Sequence, residues 1–67
     1  MQLSTRNKLK ARIKDIKSDN ISSEIVLDVG GQEMCSTITT TSVNSLGLKV
    51  GDEVIALVKA SSVMIGK

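Results

Sequence analysis

The sequence predicts an all-β fold: a five-stranded OB-like Greek-key barrel with one short helix between strands 3 and 4. Three observations lead there. Apolar residues alternate with polar ones along most of the chain, the period-two signature of half-buried strands. Turn signals are short and closely spaced, at Ser18-Asp19-Asn20, Gly30-Gly31 and Lys49-Val50-Gly51-Asp52. A hydroxyl run, Thr39-Thr40-Thr41-Ser42, stands before Val43 and Leu46, an i, i+3 pair that suits one or two helical turns. Three strands, a short helix and two more strands is the order of the small OB barrel.

The first strand carries Leu9, Ala11 and Ile13 on one face and Lys8, Lys10, Arg12 and Lys14 on the other. Ile16 falls out of phase, which predicts a bulge or the strand's end near Asp15. After the polar turn, Ile21, Ser23, Ile25, Leu27 and Val29 form a second alternating set, and Gly30-Gly31 is a hairpin signal. The third strand runs from about Gln32 to Thr39, with Met34, Ser36 and Ile38 on one face and Cys35, Thr37 and Thr39 on the other. The helix is placed at about 41–46, with Gly47 as its left-handed terminator. Strand 4 runs from Glu53 to Lys59, and its continuous run Val54-Ile55-Ala56-Leu57-Val58 predicts burial on both faces. Ser61-Ser62 breaks the pattern, and Val63-Met64-Ile65 is read as a short fifth strand ending at Gly66.

Sixty-seven residues make one domain, 1–67, and a small one. The chain is 40% hydrophobic yet has no aromatic side chain, so Val, Ile, Leu, Met and Ala must build its core. One core of this size rarely contributes more than about 3–5 kcal/mol. A single Cys excludes an intrachain disulfide, and one Cys with no His leaves no zinc cage. Self-association is the remaining way to gain stability, so an obligate oligomer is predicted.

Net charge is +2, from nine basic and seven acidic side chains, too balanced to announce nucleic acid. Most of the basic side chains of the first strand read as a solvated face. No run of about 18–20 apolar residues is present for a membrane span, and no apolar stretch of a leader follows the N-terminus. A lone Cys fits a reducing cytoplasm.

The chemical inventory argues against catalysis. No His is present to act as acid or base, and no nucleophile stands near one. No catalytic residue and no catalytic cofactor are predicted, and Cys35 is read as a packing residue or a bystander. OB barrels often grip single strands by stacking bases on aromatic side chains, which this chain lacks, so a nucleic-acid reading rests on the charge of the basic first strand alone. What it does supply is a split polar motif. Ser4-Thr5-Arg6-Asn7 stands at the start and Lys59-Ala60-Ser61 near the end, each joining a cation to small hydroxyl or amide groups. Arg offers a planar fork of donors and Lys a compact charge, and hydroxyls and backbone N–H groups direct hydrogen bonds. Such a set can surround a tetrahedral oxyanion, which needs donors on every side and no acid or base. A second reading is an OB-type interaction module for single-stranded nucleic acid or a protein partner.

The opening Ser4-Thr5-Arg6-Asn7-Lys8-Leu9-Lys10 resembles the Ser-Ala-Arg-Asn-x-Leu-x start of the molbindins, the small molybdate-binding (Mop) domains. The resemblance continues through Ile38-Thr39 to Ser42-Val43, Leu46-Gly47-Leu48 and Val50-Gly51-Asp52-Glu53-Val54, and closes on Leu57-Val58-Lys59-Ala60-Ser61-Ser62-Val63-Met64. It spans essentially the whole chain and implies a single Mop domain that binds molybdate or tungstate without catalysis. It further implies a cytoplasmic homo-oligomer, a hexamer built as a trimer of dimers, with the oxyanions between subunits and no nucleic-acid or membrane partner. Carried over by motif, the binding residues are Ser4, Arg6, Asn7, Thr39, Ser42, Lys59, Ala60 (through its backbone) and Ser61, none of them a direct ligand to a free metal cation. Thr5 departs from the Ala common at that position, and 18–23 is more polar than the Gly-containing turn of the family.

Overall fold

Strands β1 (Asn7–Ser18), β2 (Ser22–Val29) and β3 (Gln32–Thr39), helix α1 (Thr40–Leu46), strand β4 (Glu53–Val58) and a 3-10 turn (Ala60–Ser62) follow one another in the computed structural model, which describes residues 6–67. The four strands form one antiparallel sheet in the order β3-β2-β1-β4.

β1 is the long central strand. Its first half pairs with β4, from Asn7 opposite Val58 to Arg12 opposite Glu53. Its second half pairs with β2, from Arg12 opposite Asp28 to Ser18 opposite Ser23. The register shifts between Ile13 and Asp15, so Lys14 is the extra residue of a β-bulge. That accounts for the phase break at Ile16: with Lys14 looped out, Ile13 and Ile16 face the same side, opposite Leu27 and Ile25. The strand therefore does not end at Asp15. The Asp52 turn docks on the bulge, where Ile13 N–H donates to the Asp52 carbonyl at 2.9 Å and Gly51 N–H donates to the Ile13 carbonyl at 2.8 Å.

The β2–β3 hairpin turns through Gly30 and Gly31, both at positive φ (59° and 90°), which side chains resist and glycine accepts. Helix α1 starts one residue before the sequence expectation. Thr39 is its N-cap, taking the Ser42 N–H on its hydroxyl at 3.1 Å. The far end is a Schellman closure: Gly47 at φ 63° donates to the Asn44 carbonyl and Leu48 to the Val43 carbonyl, both at 3.1 Å.

Ala11, Ile13, Ile25, Leu27 and Val43 are buried on one face of the sheet, with α1 contributing Val43. Ile13, at 1% exposure, gains about 2–3 kcal/mol from that burial. Three sequence expectations need correction. Ile21 lies outside β2 and is exposed, because Asp19 folds the preceding turn back on itself. β4 is buried on one face only: Val54, Ala56 and Val58 turn inward while Ile55 and Leu57 are exposed, since no second layer covers the outer face. Residues 63–65 form no strand; the 3-10 turn carries them off the end of β4 and leaves Val63, Met64 and Ile65 exposed.

The described residues of one chain therefore make a four-stranded antiparallel sheet with one short helix, and neither a fifth strand nor a closed barrel. An apolar cleft of about 630 Å³ stays open between the edge strands, with Ile13, Ile25 and Leu27 at its floor and Met34, Ile38, Val54 and Ala56 along its sides. The molecule measures 35 × 29 × 19 Å, and its radius of gyration of 12.4 Å exceeds the ~11 Å of a compact domain of this length.

Candidate functional site

The β1–β4 ladder joins the two halves of the split motif. Asn7 pairs with Val58, so Arg6 and Lys59 occupy the next positions outward on the two strands. The Asn7 Nδ2 donates to the Val58 carbonyl at 3.1 Å, which orients the amide and leaves its second N–H and its oxygen for another partner. Beyond Lys59 the chain enters the 3-10 turn, closed by Ser62 N–H donating to the Lys59 carbonyl at 2.9 Å. Ala60 and Ser61 lie in its first turn, where N–H groups precede any intrahelical acceptor. Arg6, Lys59, Ala60 and Ser61 are exposed and Asn7 is half-buried. Ser4 lies outside the described residues.

Electrostatics favour an anion here. Two ion pairs occur among the described residues, Arg12–Glu53 at 3.3 Å and Lys14–Glu33 at 2.7 Å. Both lie further along the sheet, so neither Arg6 nor Lys59 is neutralised by a carboxylate among the described residues. Two cations, an amide and a short hydroxyl turn thus share one corner.

Thr39 and Ser42 stand elsewhere. Thr39 pairs with Ser22, past the Ser18 end of β1, while Arg6 precedes its Asn7 end. Asn7 and Ser18 are eleven residues apart on one strand, a span of about 35 Å when extended. The seven predicted residues among those described therefore fall into two groups, and no single oxyanion touches both groups of one chain. In the second group the Thr39 and Ser42 hydroxyls are 2.7 Å apart. The pair holds two hydroxyl hydrogens and uses one between its members, so one O–H is left to donate outward.

Next to this pair lies a set of groups that the motif reading missed. Ser18 and Ser23 hydroxyls are 2.7 Å apart, Ser23 and Thr40 hydroxyls 2.8 Å, and Thr40 donates to the Asp19 carbonyl at 2.7 Å. Ser23 is 1% exposed. Asp19 itself accepts the N–H groups of Ser22 and Ile21, both at 2.8 Å, and these bonds hold its carboxyl below the ordinary value. Nothing in the sequence links positions 18, 23 and 40; the hairpin register brings them together. Among the described residues, no group of three or more His, Cys, Asp or Glu is placed to hold a metal ion.

The TOBE-domain profile matches residues 3–65. The chain belongs to the TOBE-domain family. As a TOBE domain it is 37% identical over 67 residues to a probable molybdenum-pterin-binding protein of Haemophilus influenzae, covering 98% of this chain and 97% of that one. It is 41% identical over 66 residues to molybdenum-pterin-binding protein 1 of Clostridium pasteurianum, covering 97% of each. Its fold superposes with a TM-score of 0.94 on a molybdate-binding protein from Sporomusa ovata, at 43% identity and full coverage of both chains. The matches run over nearly the whole length of these relatives, and the opening and closing motifs that carried the molbindin resemblance lie inside the matched span.

Proposed function

We propose that this chain is a non-catalytic binding protein for molybdate or tungstate, acting as a cytoplasmic homo-oligomer that stores and buffers the oxyanion. The observation that carries the reading is the carboxylate-free corner where Arg6 and Asn7 of β1 meet Lys59, Ala60 and Ser61 after β4. Ser4 is proposed as a further binding residue by motif alone. Binding there is reversible and rests on charge-assisted hydrogen bonds, with no bond made or broken in the ligand.

The assembly is proposed to be a hexamer, a trimer of dimers, with oxyanions between subunits. Three features support it. The chain exposes 5557 Å², about 1,500 Å² more than a compact monomer of 7.1 kDa. A standard interface removes about 800 Å² per partner, so more than one interface per chain fits that excess. The apolar cleft between β3 and β4 has the two unpaired edges that an added strand needs, and 63–65 is an exposed apolar segment of strand-like composition. Seated in the cleft of a second copy, 63–65 becomes the fifth strand and the sheet closes into the OB-type Greek-key barrel. Finally, a corner with an open outer side and a distant Thr39–Ser42 pair complete a donor shell only when groups from different subunits meet.

Native mass spectrometry of the purified protein, with molybdate and with sulfate as control, tests the reading. A hexamer that takes up a fixed number of molybdates and no sulfate is expected. A monomer would remove the proposed assembly, and an oligomer indifferent to molybdate would remove the proposed function.

A further inference from the structure

Three hydroxyls near α1 have a direction that counting hydrogens settles. A carbonyl oxygen only accepts, so Thr40 spends its hydroxyl hydrogen on the Asp19 carbonyl. In the Ser23–Thr40 contact the donor must then be Ser23. With its own hydrogen spent, Ser23 accepts from Ser18. The chain runs one way, Ser18 to Ser23 to Thr40 to the Asp19 carbonyl, and all three hydrogens are consumed inside it. None of these hydroxyls has a hydrogen to give to a ligand, whereas the Thr39–Ser42 pair, which starts at the residue before Thr40, keeps one.

The middle member is the unusual one. Ser23 is the buried polar side chain of the described core, on the face that carries Ile25 and Leu27. An apolar side chain would fill that place without needing partners, and a buried hydroxyl is tolerated only because both its roles are satisfied. Its bond reaches Thr40, the residue that follows Thr39, and Thr40 N–H is also held by the Ile21 carbonyl at 3.0 Å. The backbone between β3 and α1 is thereby fixed from two sides.

We infer that Ser23 is a positioning residue for oxyanion binding: through Thr40 it fixes the Thr39–Ser42 hydroxyl pair, whose one spare O–H donates to the ligand. This rests on the reading of Thr39 and Ser42 as oxyanion donors given above. Ser23 itself touches no ligand.

The test is a calorimetric titration of the full chain with molybdate. Ser23→Ala is expected to weaken binding about tenfold, the loss of one well-directed donor to an anion. Thr40→Val breaks the same chain one step later with its shape kept, and is expected to do the same; it serves if Ser23→Ala does not fold. The decisive arm is the Thr39→Val/Ser42→Ala background, where both donors are gone. There, adding Ser23→Ala should cost no further affinity, a non-additivity that a merely structural role would not produce. Wild-type affinity in both Ser23→Ala and Thr40→Val, or a full additional loss in that background, overturns the inference. If Thr39→Val/Ser42→Ala alone binds molybdate like the unaltered chain, the donor reading itself has failed, and this inference with it.

Discussion

The Asn7 amide donates to the backbone oxygen of Val58 at 3.1 Å, at the outer end of the β1–β4 ladder. One side chain thus does two things. It closes the ladder where fraying would begin, and it fixes the strand ends from which Arg6 and Lys59 project. Asn7→Ala is expected to lower stability by about 1 kcal/mol and to weaken molybdate binding as well. Thermal melting and titration of the same sample check the two effects; a loss of stability with unaltered affinity would confine Asn7 to the ladder.

Arg6 is exposed, with no ion pair among the described residues, so it contributes little to folding. Arg6→Ala is expected to leave the melting temperature unchanged and to weaken molybdate binding about 10- to 100-fold, the range for a charge-assisted bond. Arg6→Lys should recover only part of the loss, because a point charge does not reproduce the fork.

Lys59 faces the same corner from the other strand. Lys59→Ala is expected to reduce the number of oxyanions held per assembly in native mass spectra. An unchanged count would make Lys59 a strand-end charge and nothing more.

Ile65 is 90% exposed in the single chain. If 63–65 closes the cleft of a second copy, Ile65→Asp places a charge in an apolar seat and should dissociate the assembly. Light scattering after size exclusion reads this directly. The same substitution on a free tail would change nothing.

Asp19 gives the fold a pH dependence of known sign. Its carboxyl is held low by the N–H groups of Ser22 and Ile21. A depressed acid stabilises the fold fully above its unfolded value of 3.8 and loses that contribution as pH falls through the lower folded value. The melting temperature should therefore drop in the acid range below about pH 4, and Asp19→Asn should flatten that part of the profile.

Much of this architecture was legible in the residues. The phase break at Ile16 announced either a bulge or a strand end near Asp15, of which the bulge is found, the glycine pair announced the hairpin, and the hydroxyl run with Gly47 bracketed α1 to within a residue. β4 was harder. Its apolar run reads as doubly buried, but a run of five apolar residues carries no record of which face finds a cover, and here one face does not. The segment 63–65 has strand composition, yet strand formation depends on an available partner edge, which composition does not encode. The corner of Arg6 and Lys59 was visible as two polar motifs at opposite chain ends. That Thr39 and Ser42 lie the length of β1 away from it was not, because sequence spacing says nothing of which end of a strand a later hairpin reaches.

The bulge at Lys14 has one more effect. Pairs on either side of it, Ile13 with Leu27 and Asp15 with Val26, are those an uninterrupted ladder would make if Lys14 were absent. A chain lacking Lys14 would keep every β1–β2 partner and every inward-facing side chain, losing the Glu33 contact and the local bend. Curvature in this sheet is thus a separate setting from register, adjustable by a single residue without changing which strand positions meet.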